Sequence, residues 1–191
     1  ALVCMKHVGL NVAADPLFTV AYTGVNGGLV VVTADDPGMH SSQNEQDSRY
    51  YAKAAHIPML EPADSQEAKD FTRLAYRISE VYDTPVLIRM TTRVSHSQSI
   101  VTLEERQEVG RKAYHKNSSK YVMMPGMARQ RHIFVEKREA ELSEAAEQLS
   151  VNRMESKDPS IGIIASGIAY QYAAEALPDA SIFKLGMVHP L

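Results

Sequence analysis

From its first residue to Val32 the chain spells strand, turn, helix, strand, and few folds accept that order. The run Leu2-Val3-Cys4-Met5 suits a strand, and residues 6–11 (KHVGLN) read as the turn at its carboxyl end. Asp15 is placed to cap a helix whose first position is Pro16, and Asn26-Gly27 to stop it. Residues 29–32 (LVVV), behind Gly27 and Gly28, are apolar without alternation, the pattern of a strand buried on both faces. Two strands joined through a helix in about 30 residues make a βαβ unit, which closes right-handed with its strands parallel. The expected fold class is α/β: a mostly parallel sheet with flanking helices.

The same plan continues downstream. Residues 48–56 read as a helix with Tyr50, Tyr51 and Ala54 on its buried side, and residues 57–60 as a short strand. Asp64, with Glu67 three residues later, resembles a capping box. The helix it opens carries Phe71, Leu74, Ala75, Ile78 and Val81 on one face of a 3.6-residue period. Asp83 and Pro85 end it, and Val86-Leu87-Ile88 is the next buried strand. Residues 104–115 are charged and weakly periodic, and residues 117–120 are turn-like. A connecting helix then opens at Pro125 and runs to Ser150, with Leu142, Ala145, Ala146 and Leu149 on one face and a solvated surface of Glu, Lys and Arg. Asp158-Pro159 breaks it, and residues 161–165, 169–177 and 181–185 repeat strand, helix, strand as the start of a second α/β domain. The chain begins on an apolar stretch without an initiator Met and stops just after another, so a fragment of a longer protein is expected.

In open α/β sheets, ligands bind in the crevice beyond the carboxyl ends of the strands. Residues 33–49 (TADDPGMHSSQNEQDSR) leave the strand 29–32 at that end and carry an imidazole, hydroxyls, side-chain amides and carboxylates. Residues 6–11 and the polar segment 89–99 (RMTTRVSHSQS) leave the sheet at the same edge. Three strand ends therefore converge: Lys6, His7, Gly9 and Asn11; residues 40–47; and Arg93, Ser95 and His96. Cations, amides and imidazoles gathered there suit an organic anion such as a carboxylate. The loop's own carboxylates, Asp35, Asp36, Glu45 and Asp47, are expected to be structural acceptors rather than the acid or base of a reaction.

Composition removes other classes. With 45% hydrophobic and 23% charged residues the chain can bury a core, and a net charge of -3 supplies no basic field for nucleic acid. One cysteine, Cys4, excludes an internal disulfide and any cysteine-only iron–sulfur cluster, and it reads as a small buried side chain of the first strand. No apolar run nears the roughly 20 residues of a membrane span, and no charged start followed by an apolar stretch marks a secretory signal. No membrane partner and a cytoplasmic location are expected. The seven histidines include no i, i+4 pair and no HExxH, so no metal site is expected. Gly24, Gly27 and Gly28 sit at a helix end, as a C-cap rather than a phosphate loop. Ser166-Gly167 follows a strand and precedes a helix, which either holds an anion or lets the two elements pack closely. His40, Ser41 and Asp35 lack the strained strand-to-helix elbow of a serine hydrolase.

Four blocks are more specific: KHVGLNVAADP (6–16), GGLVVVTADDPGMHSSQNEQDSRYYAK (27–53), PVLIRMTTRVSHS (85–97) and IGIIASGIAYQY (161–172). In that order they resemble the alpha subunits of indolepyruvate ferredoxin oxidoreductases, thiamin-diphosphate enzymes of the 2-oxoacid:ferredoxin oxidoreductase superfamily. The resemblance spans the chain and is weakest over residues 111–127. It implies oxidative decarboxylation of arylpyruvates such as indolepyruvate with coenzyme A, giving an arylacetyl-CoA, carbon dioxide and reduced ferredoxin. It implies three regions: residues 1–115, a pyrimidine-type thiamin-binding domain without its N-terminal part; 116–158, a helical linker; and 159–191, the truncated start of a transketolase-C-like domain.

The implied cofactors are thiamin diphosphate with Mg, whose metal and pyrophosphate site lies outside this chain, and 4Fe-4S clusters of the full-length protein. The implied partners are a beta subunit, ferredoxin, coenzyme A, an arylpyruvate and further copies in an oligomer. In the family the glutamate that activates the cofactor lies upstream of residue 1, so the chain alone is expected to be inactive. Carried over residue by residue, the resemblance makes His7, Gly9 and Asn11 cofactor-binding and His40 catalytic. It places Ser41, Gln43 and Asn44 near the pyrimidine or the 2-oxoacid carboxylate, with Arg93 and His96 on the substrate side or bracing the loop. A reading of another class stays open: a non-catalytic α/β module whose polar edge docks a partner subunit.

Overall fold

The computed structural model describes residues 1–191. The chain opens on β1 (Leu2–Lys6), α1 (His7–Val12), α2 (Ala14–Thr23) and β2 (Val30–Asp35). β1 and β2 pair in parallel from Leu2 opposite Val30 to Lys6 opposite Ala34, as a βαβ unit requires. Next come α3 (Arg49–Ala55), β3 (Met59–Leu60), α4 (Ser65–Tyr82), β4 (Val86–Thr91) and α5 (Thr92–His96). Residues 97–117 have no regular structure and lead to α6 (Ser118–Tyr121) and α7 (Pro125–Gln148). The chain ends on β5 (Arg153–Glu155), β6 (Asp158–Ser166), α8 (Gly167–Ala176), β7 (Ala180–Leu185) and β8 (Met187–His189). One sheet has the order β1-β2-β4-β3-β8, parallel except for β8, and a second has the order β5-β7-β6. The fold is α/β with a mostly parallel sheet, as the sequence predicts. No helix is long and apolar enough to cross a membrane.

The first halves of the central strands, Val30–Val32 and Val86–Ile88, are apolar on both sides because helices cover both faces. Val31 and Leu87 point to one side, where Leu17 and Ala21 of α2 and Ala52 and Ala55 of α3 pack. Val30, Val86 and Ile88, one residue out of phase, point to the other and meet Phe71, Ala75 and Ile78 of α4 with Leu142 and Ala146 of α7. Each fully buried aliphatic side chain contributes about 1.5–3 kcal/mol by leaving water. α7 connects the two sheets while its apolar stripe completes the core of the first.

Local signals were misplaced at several points. Residues 6–11 are not a turn, since α1 starts at His7 directly after β1. Ala13 closes α1 and opens α2, which leaves Asp15 inside the first turn instead of at the cap. Gly24, at φ 70°, ends α2 before Asn26-Gly27 is reached. Cys4 is exposed, because β1 is an edge strand and no helix covers the face it shares with Leu2. On α3 the core side is Ala52 and Ala55, while Tyr50 and Ala54 face out. Asp64 does cap α4, accepting the Glu67 N–H at 2.8 Å, but Glu67 reaches back to the Ala63 N–H, not to that of Asp64. Val81 is exposed. Arg89 does not leave the sheet: β4 runs on to Thr91.

The smaller sheet is fastened to the larger one by charge. Lys184 of β7 is fully buried, paired with Glu67 of α4 and 5.3 Å from the ring centres of Phe71 and Tyr170. Burial pushes its ammonium pKa down, and the Glu67 carboxylate works against that shift. β8 then returns to the first sheet beside β3.

Candidate functional site

β2 and β4 are neighbours whose exits diverge. From β2 the chain reaches α3 on one face; from β4 it passes through α5 to residues 97–117, which lie along α4 on the other, where Lys69 Nζ donates to the Thr102 carbonyl at 2.7 Å. A doubly wound sheet opens its ligand crevice where successive connections part in this way. Here residues 36–48 and α5 stand over that opening.

The floor is built from charges at three strand ends. Arg89 of β4 donates from Nε to Asp35 Oδ2 at 2.6 Å and from Nη1 to Glu61 Oε1 at 2.7 Å, all three side chains being buried. Asp35 also receives the Ser48 hydroxyl and N–H, at 2.5 and 3.0 Å, and Thr33 hydrogen-bonds the same hydroxyl. Both ends of the loop are thus tied to the sheet. Asp47 lies 3.7 Å from Arg89. Burial pushes the Asp47 pKa up, but hydrogen bonds from the Arg49 side chain and N–H, with the charge of Arg89, hold it below the usual range.

Asp36 shapes the loop itself. Its carboxylate accepts the Ser42 hydroxyl at 2.7 Å, the Ser41 N–H at 2.8 Å, the Thr92 hydroxyl at 2.7 Å and the His40 N–H at 3.2 Å. Those bonds, Ser42 foremost, hold its pKa far below the carboxylate range. Lys6 donates to the Ser41 carbonyl and the Ser42 hydroxyl, and Glu45 accepts the Gly38 N–H. A turn with positive φ at Gly38 and Met39 delivers His40 to the rim. All four loop carboxylates, Asp35, Asp36, Glu45 and Asp47, accept hydrogen bonds from within the chain.

Above this floor lies a cleft of about 460 Å³. His40 lines it from the loop, Thr92, Arg93 and His96 from α5, and Ile168 and Tyr172 from α8. Three candidates from the sequence, His40, Arg93 and His96, therefore share one cavity. Ser41 is exposed beside His40, and Gln43 and Asn44 lie exposed further along the loop, Asn44 accepting from Gln46. His7, Gly9 and Asn11 do not line the cleft. His7 is fully buried with both ring nitrogens unpartnered, Gly9 packs against Met5, and Asn11 accepts the Tyr51 hydroxyl. Sequence reasoning missed Thr92, Ile168 and Tyr172. Thr92 sits in the polar segment but announces nothing; the α8 residues arrive by a long-range return of the chain that no local pattern encodes.

A larger cleft, about 550 Å³, runs between α4 and residues 104–109. Several of its charges are paired, Arg73 and Lys69 with Glu104 and Glu80 with Lys112, and it lies away from the strand ends. No group of three or more His, Cys, Asp or Glu side chains is arranged to hold a metal ion.

Known proteins bear on this geometry. The chain is 43% identical over its whole length to the indolepyruvate oxidoreductase subunit IorA of Archaeoglobus fulgidus, covering 32% of that protein. It is 46% identical, over 97% of its length, to the subunit of the same name from Methanothermobacter marburgensis, and 45% identical over 100% to that of Pyrococcus horikoshii, covering 31% of each. The chain therefore spans about a third of the length of the curated relatives it matches. Among solved structures, the 2-oxoglutarate:ferredoxin oxidoreductase from Magnetococcus marinus, with 2-oxoglutarate, coenzyme A and succinyl-CoA bound, superposes on all of this chain and 42% of its own at a TM-score of 0.64 and 12% identity, a likeness of fold. The family "Pyruvate flavodoxin/ferredoxin oxidoreductase, thiamine diP-bdg" matches residues 29–158, which hold β2, the loop and α5. By that match, over more than half of its length, the chain belongs to this thiamine-diphosphate-binding oxidoreductase family.

Proposed function

We propose that the cleft is this chain's share of the active site of an enzyme that oxidatively decarboxylates arylpyruvates, indolepyruvate among them. The products are an arylacetyl-CoA, carbon dioxide and reduced ferredoxin. The observation that carries this reading is the meeting of His40, Arg93 and His96 in one cavity at the carboxyl edge, within the family-matched residues.

The donor set suits one end of the family's cofactor. An imidazole and a hydroxyl, from His96 and Thr92, match a ring nitrogen and the amino group of an aminopyrimidine. The diphosphate arm and its metal belong outside residues 1–191, which offer no metal-ligating cluster. When bound, thiamin diphosphate supplies the electron sink that lets carbon dioxide leave a 2-oxo acid. Arg93 orients the carboxylate of the incoming acid by a charge-assisted hydrogen bond. His40 donates an N–H toward the 2-oxo oxygen and holds the proton there. Asp36 fixes the loop so that His40 needs no rearrangement.

Residues 1–115 act as the thiamin-binding part, 116–158 as the linker and 159–191 as the start of the next domain. The activating glutamate, the metal site, the 4Fe-4S clusters and the beta-subunit contact lie in the rest of the full-length complex, so the chain alone does not turn over. The test is to titrate thiamin diphosphate and indolepyruvate onto that complex by calorimetry. With His40→Ala, kcat should drop roughly 100-fold while the unfolding midpoint holds. If neither molecule binds, the polar edge is a docking surface instead.

A further inference from the structure

The cleft is chemically two-sided. The loop and α5 supply its imidazoles and its guanidinium, while its two hydrophobic side chains, Ile168 and Tyr172, both come from α8. Four residues apart on a helix, they lie on one face, one turn above the other. Tyr172 is 51% exposed, and no hydrogen bond ties its hydroxyl to the chain. An aromatic ring and an aliphatic side chain are thus left open opposite a guanidinium and two imidazoles.

The position of α8 is fixed by the same network that floors the site. Gly167, at φ +51°, brings the start of the helix so close to Glu61 that a Cβ there would lie 2.6 Å from Glu61 Oε1. Glu61 in turn holds Arg89. Gln171 donates to Asp64 at the head of α4, and the Tyr170 hydroxyl donates to Glu155 at 2.7 Å. The Glu61 side chain therefore fills the space at this helix start, and the strand-glycine-helix turn serves close packing. Ile168 and Tyr172 are held over the strand ends by contacts on the other sides of α8.

We propose that Tyr172 and Ile168 form the specificity-determining wall of the cleft, taking the planar aryl group of a 2-oxo acid whose carboxylate faces Arg93. This rests on the reaction proposed above. An aryl ring stacks on the Tyr172 face and covers Ile168, whereas a short alkyl 2-oxo acid leaves that wall in water. About 460 Å³ accommodates a bicyclic ring with its oxo-acid arm, within the roughly 300–1,000 Å³ of small-molecule sites.

Two measurements on the full-length complex test the wall. In the first, kcat/KM is compared for indolepyruvate and pyruvate. Tyr172→Ala should lower the aryl-to-alkyl ratio roughly 10- to 100-fold, and Tyr172→Phe, which keeps the ring, should restore it. In the second, calorimetry follows indole-3-acetate, which has the ring and carboxylate but cannot react. Its Kd should weaken about tenfold in Tyr172→Ala and recover in Tyr172→Phe. An unchanged ratio and an unchanged Kd overturn the wall while leaving the reaction standing. A wild-type complex that oxidises neither acid overturns the reaction, and the wall with it.

Discussion

Two buried arginines mark opposite edges of the first sheet and solve the same problem differently. Arg138 of α7, 1% exposed, lies at the amino edge, where helices that run back along parallel strands bring their carboxyl ends together. It donates to the carbonyls of Ala21, His56 and Asp83, at the ends of α2, α3 and α4. Each helix end carries roughly half a negative charge, so one guanidinium serves three dipoles without burying an anion. Burial pulls its pKa down to about 10, with Asp83 opposing the shift. Arg89, at the carboxyl edge, meets whole carboxylates, Asp35 and Glu61. A carboxylate has lone pairs to spare, and Asp35 uses them to hold Ser48. One edge is a pin. The other is a pin with receptors left over, on which a polar loop can be built.

The comparison is broken most directly at the arginines. Arg89→Met leaves two carboxylates buried without a cation and should cost about 3–5 kcal/mol. Arg138→Met leaves carbonyls short of a donor and should cost about 2–3 kcal/mol. Urea midpoints measure both. If Arg138→Met is the more damaging, the anions of the carboxyl edge are not the costlier partners.

What the sequence revealed follows the same division. β2, α4 and the apolar part of β4 were legible because burial on two faces and a 3.6-residue stripe leave direct marks. A charge after Val86-Leu87-Ile88 looks like a strand end, so the sequence predicts a loop from Arg89, yet Met90 continues the strand beyond it. The sequence does show Asp35, Glu61 and Arg89 at or just beyond the ends of three apolar runs, and only the strand order makes that a cluster. Arg138 also left a trace: Val135, Arg138, Leu142 and Ala146 form the buried stripe of α7, and reading its register from Leu142 and Ala145 passed the arginine by. Of the candidate site, the loop and α5 were visible as polar strand exits. The α8 wall was not, because it depends on how the second sheet folds back.

A matched pair of glycines sharpens the contrast with smaller effects. Gly24, at φ +70°, presses on Asp83 at the amino edge, and Gly167, at φ +51°, presses on Glu61 at the carboxyl edge. Alanine at either position should destabilise by about 1–3 kcal/mol through positive-φ backbone strain, before any displacement of the carboxylate. Function should separate them. Gly167→Ala moves α8 off the cleft and should raise KM for an arylpyruvate several-fold, while Gly24→Ala should leave KM alone. Equal KM values for the two variants would mean that α8 is not held by this contact.

The gentlest probe is pH, and it should reach the two edges in a fixed order. At the amino edge His189 of β8 faces Glu139, with His56 and Lys53 nearby. Burial pushes its pKa below the ordinary value, against the pull of Glu139. A histidine with a lowered folded pKa favours the fold only while neutral, so stability is lost as pH falls through about 6.5 toward the folded value. Asp36 at the carboxyl edge is an acid held low by its hydrogen bonds. Its contribution is present above about pH 4 and is lost only as pH falls through its folded value. Amide exchange on lowering the pH from 8 should therefore loosen β8 and its contact with α7 first, once the pH is below about 6.5, with His40 and Ser41 still protected. The loop should open only below about pH 4. His189→Asn should erase the first step and spare the second. If the loop opens together with β8 in that first step, the two edges are one cooperative unit, and Asp36 does not hold the loop independently of the amino-edge pin.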